Sequence, residues 1–282
     1  MREKRKQSFS ERNGLVVAPD QLRLYEISKH FRLLVDYALQ EEIKRGIVWG
    51  PGGSSLGRWV DIAKDLHVKF YRKSIGTFDS SVDNLKKQLE LCTRTYEYNR
   101  LFDLIEFFVG HRAITSTLQV DLINAFLEAG LAYRIIDLQV VAIGTAEQAD
   151  AFLRAVGDAE ENGFAGAREH LVSSGKMLTE KDWRSSVRES IHAVESVAKN
   201  ISEDEKGTLG SALKKIGKRK VINEKLKAAF EKLYSYTNDE NTAARHAIVF
   251  PDSVQVDEAD ALFMLGACAS FVSYLIAKNV DG

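Results

Sequence analysis

The residue pair with the clearest chemical potential is Arg245, followed directly by His246. A histidine titrates near neutral pH, so it can accept or donate a proton at a ribose 2'-hydroxyl or at a leaving 5'-oxygen. An arginine keeps its charge and can hold a phosphate through two hydrogen bonds. These two side chains together have the chemistry needed to cleave RNA without a metal ion.

The surroundings of this pair leave a structural alternative open. A polar, turn-forming run at residues 238–241 precedes it and an apolar run at 247–250 follows, which is also typical of a helix start. Neighbouring side chains on a helix point about 100° apart, so one chain would not easily aim both at one phosphate. Two symmetric copies could each supply the pair to a shared cleft. On the residues alone, a role at a helix end is favoured over catalysis.

Other motifs give weaker signals. The glycine-rich residues 50–57 have helical flanks and no following Gly-Lys-Ser or Gly-Lys-Thr, which favours a loop over a phosphate site. The six histidines show no metal-ligand spacing, so we expect neither a metal nor another cofactor. The basic segment 214–227 carries no interleaved aromatic platform, which favours a solvated helix end over an RNA contact.

A polar stripe at helical spacing leaves two interpretations open. Its members are Glu189, His192, Ser196 and Lys199. Such a stripe usually faces solvent, but it can also be a polar surface that a partner covers.

Composition limits the classes of partner. Lysine and arginine number 39 against 40 aspartate and glutamate, so there is no strong overall field for nucleic acid, and no DNA sequence reader is evident. Cys92 and Cys268 lie in apolar helical contexts, which predicts buried free thiols. The most apolar region, residues 261–277, contains serines and fits a core helix. We therefore predict a soluble, cytoplasmic protein that has no membrane as a partner.

The periodicity of apolar residues predicts a mainly α fold in two domains, residues 1–157 and 158–282. The exception is YRIIDLQVVAI at residues 133–143, a short β-hairpin around Asp137 and Leu138, after which Thr145 caps a helix. A change in composition at residues 158–166 marks the boundary, and the second domain reads as a helical bundle. The expected helices cover residues 22–44, 58–70, 81–93, 96–108, 118–129, 145–156, 167–178, 182–201, 208–216, 221–234 and 257–278.

Five segments in order resemble the abortive-infection AbiJ family. They are FSERNG at residues 9–14, the hairpin at 133–143, SVRESIHAVESVAK at 186–199, TLGSALKKI at 208–216 and AFEKLYSYTNDENTAARHAI at 229–248. The resemblance covers most of the chain. It implies an AbiJ-type N-terminal domain, α-rich with the short hairpin, joined to a C-terminal HEPN-like helical bundle.

The resemblance implies a function for Arg245 and His246. Many HEPN-like domains are metal-independent endoribonucleases that act as homodimers, with an arginine and a histidine facing a cleft between the copies. In this sequence His246 corresponds to the acid/base, Arg245 to the phosphate clamp, and Asn238 and Asp239 are candidates for orienting them. RNA is then the candidate partner, and the protein would be an anti-phage toxin.

The alternative implied by the same resemblance is a non-catalytic scaffold. The family motif places the histidine about four to six residues after the arginine, whereas Arg245 directly precedes His246. A HEPN-like bundle without catalysis would serve dimerisation, or would bind a nucleotide or a protein partner.

Overall fold

The computed structural model describes residues 9–13, 22–51, 53–204, 207–219, 222–235 and 256–280. It divides into two compact units, Met1–Val140 and Val141–Gly282. The predicted mainly-α fold class is confirmed, because the strands of the described ranges form only two small hairpins. The predicted domain boundary at residues 157/158 stays a prediction.

The first unit consists of short and medium helices with one exposed hairpin. Ser28, Ser81 and Thr115 each cap a helix by accepting a hydrogen bond from the backbone N–H three residues later. A π turn, Leu66–Phe70, continues α3. The elements are α1 (Phe9–Arg12), α2 (Lys29–Gly46), β1 (Val48–Gly50), β2 (Gly53–Ser55), α3 (Trp59–Asp65), a 3-10 turn (Ile75–Thr77), α4 (Val82–Thr95), α5 (Tyr98–Val109), α6 (Ser116–Glu128) and β3 (Tyr133–Ile136).

Two local predictions in this unit need correction. The helix predicted from residue 22 begins at Lys29, because the extended backbone and side-chain cap of Ser28 set its start. The loop predicted at residues 50–57 contains the second half of the β1–β2 hairpin, in which Val48 pairs with Ser55. All residues of the two strands are exposed, so no alternation of apolar residues signalled them.

Aromatic side chains fill the core of the first unit. Phe31 contacts Phe126 edge-to-face, with ring centroids 4.8 Å apart, and Phe102 contacts Tyr133 at the same separation. Trp59 is fully buried and its indole N–H donates to the backbone carbonyl of Glu42 at 3.2 Å. Helices α2, α5 and α6 together with β3 therefore share one apolar centre.

A fully buried carboxylate lies within this unit. Glu42, in α2, has no exposed surface. Arg58 donates to one carboxylate oxygen at 2.6 Å, and Thr115 donates to the other at 2.8 Å. Arg45 lies 3.3 Å from that second oxygen. The charge is thus satisfied on both sides, as burial requires.

The second unit is a bundle of six helices within the described residues. The predicted cap at Thr145 is confirmed as a capping box with Gln148, and this helix extends past the expected end at residue 156. Helix α12 packs against α7, α8 and α9. The elements after β4 (Gln139–Ala142) are α7 (Ala146–Glu161), α8 (Ala165–Thr179), α9 (Trp183–Ser202), α10 (Leu209–Arg219), α11 (Glu224–Ser235) and α12 (Glu258–Val280).

Helix α12 is the one described helix that is long and apolar enough, by length and composition, to cross a membrane. Half of that segment is buried inside the unit. Its packing on three neighbouring helices is what the sequence led us to expect of a core helix. The prediction of a cytoplasmic protein stays a prediction.

Both cysteines are buried free thiols, as predicted. Burial raises the pKa of Cys268 to about 12, from an ordinary value of 9.0. Since the thiolate is the reactive form and burial blocks access to it, we expect Cys268 in the folded chain to react with iodoacetamide far more slowly than an exposed thiol. Mass spectrometry after brief labelling at mildly alkaline pH checks this: no label under native conditions and two labels in denaturant. Rapid native labelling of Cys268 would contradict its burial.

Candidate functional site

Helices α8 and α9 form an antiparallel hairpin through the short turn at residues 180–182. Lys181 takes a left-handed conformation, φ 64°, which reverses the chain. The Asp182 side chain then caps α9 by accepting from the N–H of Ser185 at 3.1 Å. A connection this short places the helices side by side along their length.

Small and hydroxyl side chains line the contact between the two helices. Ser174 of α8 and Ser186 and Ser190 of α9 are all fully buried. The Ser174 hydroxyl donates to the backbone carbonyl of Ser186 at 2.8 Å and lies 2.7 Å from the Ser190 hydroxyl. Nearer the start of α8, a Cβ added to Gly166 would meet Ser196 Oγ at 2.8 Å. Only small residues therefore allow this close approach.

Two histidines and a glutamate meet on the same contact, one helical turn from Ser174. Nδ1 of His170, in α8, lies 2.8 Å from one carboxylate oxygen of Glu189 in α9. Nδ1 of His192 lies 3.7 Å from the other carboxylate oxygen. The two imidazole rings are 5.2 Å apart between centroids. We call His170, Glu189 and His192 the His–Glu–His cluster.

The cluster is partly buried, and this lowers the pKa of one of its histidines. Side-chain exposures are 37% for His170, 22% for Glu189 and 29% for His192. Burial is the largest influence on His192 and lowers its pKa; the Glu189 carboxylate opposes this, and His170 adds to it. His192 is therefore held neutral around neutral pH, with a ring nitrogen lone pair free to bind a cation or a proton.

The chemistry available to the cluster is proton exchange or cation binding. One ligand atom from each of the three residues lies within 4.8 Å of the other two. Among the described residues this is the one group of three or more such side chains that meets this criterion. It lies wholly within the second unit, on two helices.

The four site residues predicted from sequence lie outside the described residues. Arg245, His246, Asn238 and Asp239 all fall between α11 and α12, at residues 236–255. Their roles therefore stay predictions.

Sequence reasoning considered the three cluster residues but did not bring them together. The helical spacing places Glu189 and His192 in a polar stripe of one helix, and the structure shows that both side chains are partly buried. His170 lies on a different helix and appears in the sequence only as one of several scattered histidines. A signal was present: His170 and His192 lie equally far from Lys181 at the turn. In an antiparallel helical hairpin, equidistant residues are level with each other.

Residues 53–57 have the letters of a nucleophile elbow, G-x-S-x-G, so the expectation that the sequence contains no such motif was wrong. An elbow presents its serine on a sharp turn between a buried strand and a helix. Ser55 instead lies within the exposed strand β2. The position does not support a nucleophile.

Comparison with known proteins assigns the N-terminal part of the chain to a family. The family model "AbiJ N-terminal domain 4" matches residues 7–156, just over half of the chain. No curated protein and no solved structure matches significantly. The matched region includes FSERNG and the hairpin at residues 133–143, two of the segments on which the resemblance rests.

Proposed function

Because the chain belongs to the AbiJ family, whose members are abortive-infection proteins, we propose that it is an anti-phage toxin with a HEPN-like second unit. In this proposal the second unit cleaves or binds RNA without a metal ion and acts as a homodimer. The first unit senses a trigger or restrains the toxin. The match to the AbiJ N-terminal domain is the observation that carries the assignment to defence.

The architecture of the second unit supports the HEPN-like part of the proposal. Its described residues form a helical bundle, the architecture that the resemblance implies for this part of the chain. The Arg245–His246 pair lies in the same half of the sequence, between α11 and α12. A helical bundle that dimerises can bring two copies of such a pair to one cleft.

The proposed chemistry follows from the two residue types. His246 removes the proton from the ribose 2'-hydroxyl, whose oxygen attacks the neighbouring phosphorus, and a histidine returns a proton to the departing 5'-oxygen. Arg245 holds the phosphate and stabilises the charge that develops on its oxygens. Asn238 and Asp239 orient this pair. The products are a 2',3'-cyclic phosphate and a 5'-hydroxyl.

A second candidate is a dimeric scaffold without catalysis. The direct adjacency of Arg245 and His246 favours it, because the HEPN motif separates the two residues. The near-neutral net charge of −1 agrees, since a long RNA would meet no overall positive field.

The experiment that separates the two is cleavage of a mixed RNA pool by the purified full chain, with and without EDTA. The ribonuclease proposal expects cleavage that persists in EDTA and leaves 2',3'-cyclic phosphate ends, and light scattering should give twice the mass of one chain. Cleavage only with added divalent cations would contradict the mechanism. A folded dimer that cleaves nothing under any of these conditions would favour the scaffold.

A further inference from the structure

We propose that His170, Glu189 and His192 form a binding site for a zinc-class divalent cation, holding α8 to α9 in the second unit. The inference goes beyond the proposed function, since it concerns residues and a ligand that RNA cleavage by Arg245 and His246 does not use. It is carried by the composition of the His–Glu–His cluster, its spacing and the rigidity of its support.

The ligand types select the cation. Two imidazole nitrogens and one carboxylate oxygen are a set found in zinc sites that keep one coordination position open. Magnesium and calcium prefer all-oxygen ligands, so a site with two histidines disfavours them. Zinc is the cation of this class to which the proposal commits.

The spacing is close to what a bound ion needs. Bonds of about 2.0–2.1 Å at tetrahedral angles place ligand atoms about 3.4 Å apart. The carboxylate oxygens of Glu189 lie 2.8 Å from His170 Nδ1 and 3.7 Å from His192 Nδ1. All three ligand atoms lie within 4.8 Å of one another. These separations bracket the spacing that a tetrahedral ion requires of its ligand atoms.

The supporting structure fixes the ligands on two packed helices. Ser174, one turn from His170, is hydrogen-bonded to Ser186 and Ser190, and these three hydroxyls are fully buried. Sites built on rigid elements hold their ligand geometry better than sites on loops. The three side chains are exposed to 37%, 22% and 29%, so an ion can reach the cluster from solvent.

A pair of the same chemistry elsewhere shows what the cluster adds. His30 Nε2 lies 3.2 Å from a carboxylate oxygen of Glu128 in the first unit, and both side chains are 56% exposed. This is a surface histidine–carboxylate pair, outside any described group of three ligands. His192 converts such a pair into a three-ligand site, so His30 is the matched control.

The test is zinc binding to the full chain after treatment with a chelator and dialysis. Zn²⁺ is titrated in competition with a chromophoric chelator, with no RNA present, so the result is separate from that of the ribonuclease assay. We expect one Zn²⁺ per chain, and a rise in Tm on adding Zn²⁺. Glu189→Gln keeps the size of the side chain and an oxygen that accepts from His170, but it removes the ligand charge.

The variants separate a metal site from a hydrogen-bonded cluster. Glu189→Gln and His192→Gln should each weaken Zn²⁺ binding at least tenfold and abolish the Tm rise, while His30→Ala binds like the wild type. Circular dichroism without metal shows whether each variant is folded. If Glu189→Gln is misfolded, Zn²⁺ binding by His192→Gln decides the test. The proposal is overturned if the wild type binds no Zn²⁺, or if a folded cluster variant binds it as tightly as the wild type.

Discussion

On the proposed ribonuclease mechanism, we expect His246→Ala to lower the rate of RNA cleavage in EDTA by about 10²–10⁴-fold, the contribution typical of a positioned general acid or base. The reason is that alanine can neither take the proton from the 2'-hydroxyl nor return one to the 5'-oxygen. The measurement is initial rates on one labelled RNA, with equal concentrations of wild type and variant. Circular dichroism shows that the variant is folded.

Two further variants sharpen this result. Arg245→Lys keeps the positive charge but loses the bidentate hydrogen bonds that a guanidinium makes to phosphate. It should therefore slow cleavage less than His246→Ala does. His30→Ala changes an exposed histidine of the first unit and should leave the rate unchanged. Equal rates for wild type and His246→Ala would mean that the proton is moved by another group, or that the activity belongs to a contaminant.

We expect Arg58→Met to destabilise the chain by about 1.5–3 kcal/mol, the contribution of a hydrogen bond to a charged group, because the fully buried carboxylate of Glu42 loses its shorter ion pair. Arg45, at 3.3 Å, and the Thr115 hydroxyl remain, but neither replaces the 2.6 Å contact. The free energy of unfolding from denaturant titrations measures the loss, followed by a probe of the first unit such as tryptophan fluorescence. The contribution of each of the three tryptophans to the fluorescence change should be measured separately; they are Trp49, Trp59 and Trp183.

The matched control replaces an arginine in an exposed pair of the same unit. Arg94→Met removes a partner 3.5 Å from Glu90, with side-chain exposures of 71% and 51%, and should cost less than about 0.5 kcal/mol. Adding Glu42→Leu to Arg58→Met should restore part of the lost stability, since the buried carboxylate that has lost its shorter ion pair is then removed. A double variant less stable than Arg58→Met would show that the desolvated charge is not the cause.

The sequence predicts most of the helices because each has a local cause. Apolar periodicity within one segment and a capping side chain at its start are enough to place α4, α7 and α9, with Ser81, Thr145 and Asp182 as caps. The prediction was wrong at residues 22–28. There, the helical spacing of Leu24 and Ile27 continues into a non-helical segment, because Leu24 is buried by tertiary contacts.

The His–Glu–His cluster lies beyond such local reasoning. Its members sit on two helices, and periodicity assigns each residue a face without saying which neighbour that face meets. The pairing of α8 with α9 depends on Gly166 and three buried serines, which a hydrophobicity pattern counts as polar or neutral. The buried Glu42 escaped prediction for a related reason: its partners Arg58 and Thr115 are distant in sequence.

The packing of α12 on α7, α8 and α9 also orders events during translation. Ribosomes make a chain from its N-terminus, and domains fold as units once their parts are available. The first unit can fold while the second is still being synthesised, but the core of the second stays open until Met264, Cys268 and Phe271 of α12 have emerged. A nascent chain that already carries the proposed toxin residues therefore cannot complete the helical bundle of the second unit before α12 has been synthesised. Premature termination before α12 would yield a chain with an exposed apolar groove, a substrate for cellular proteases.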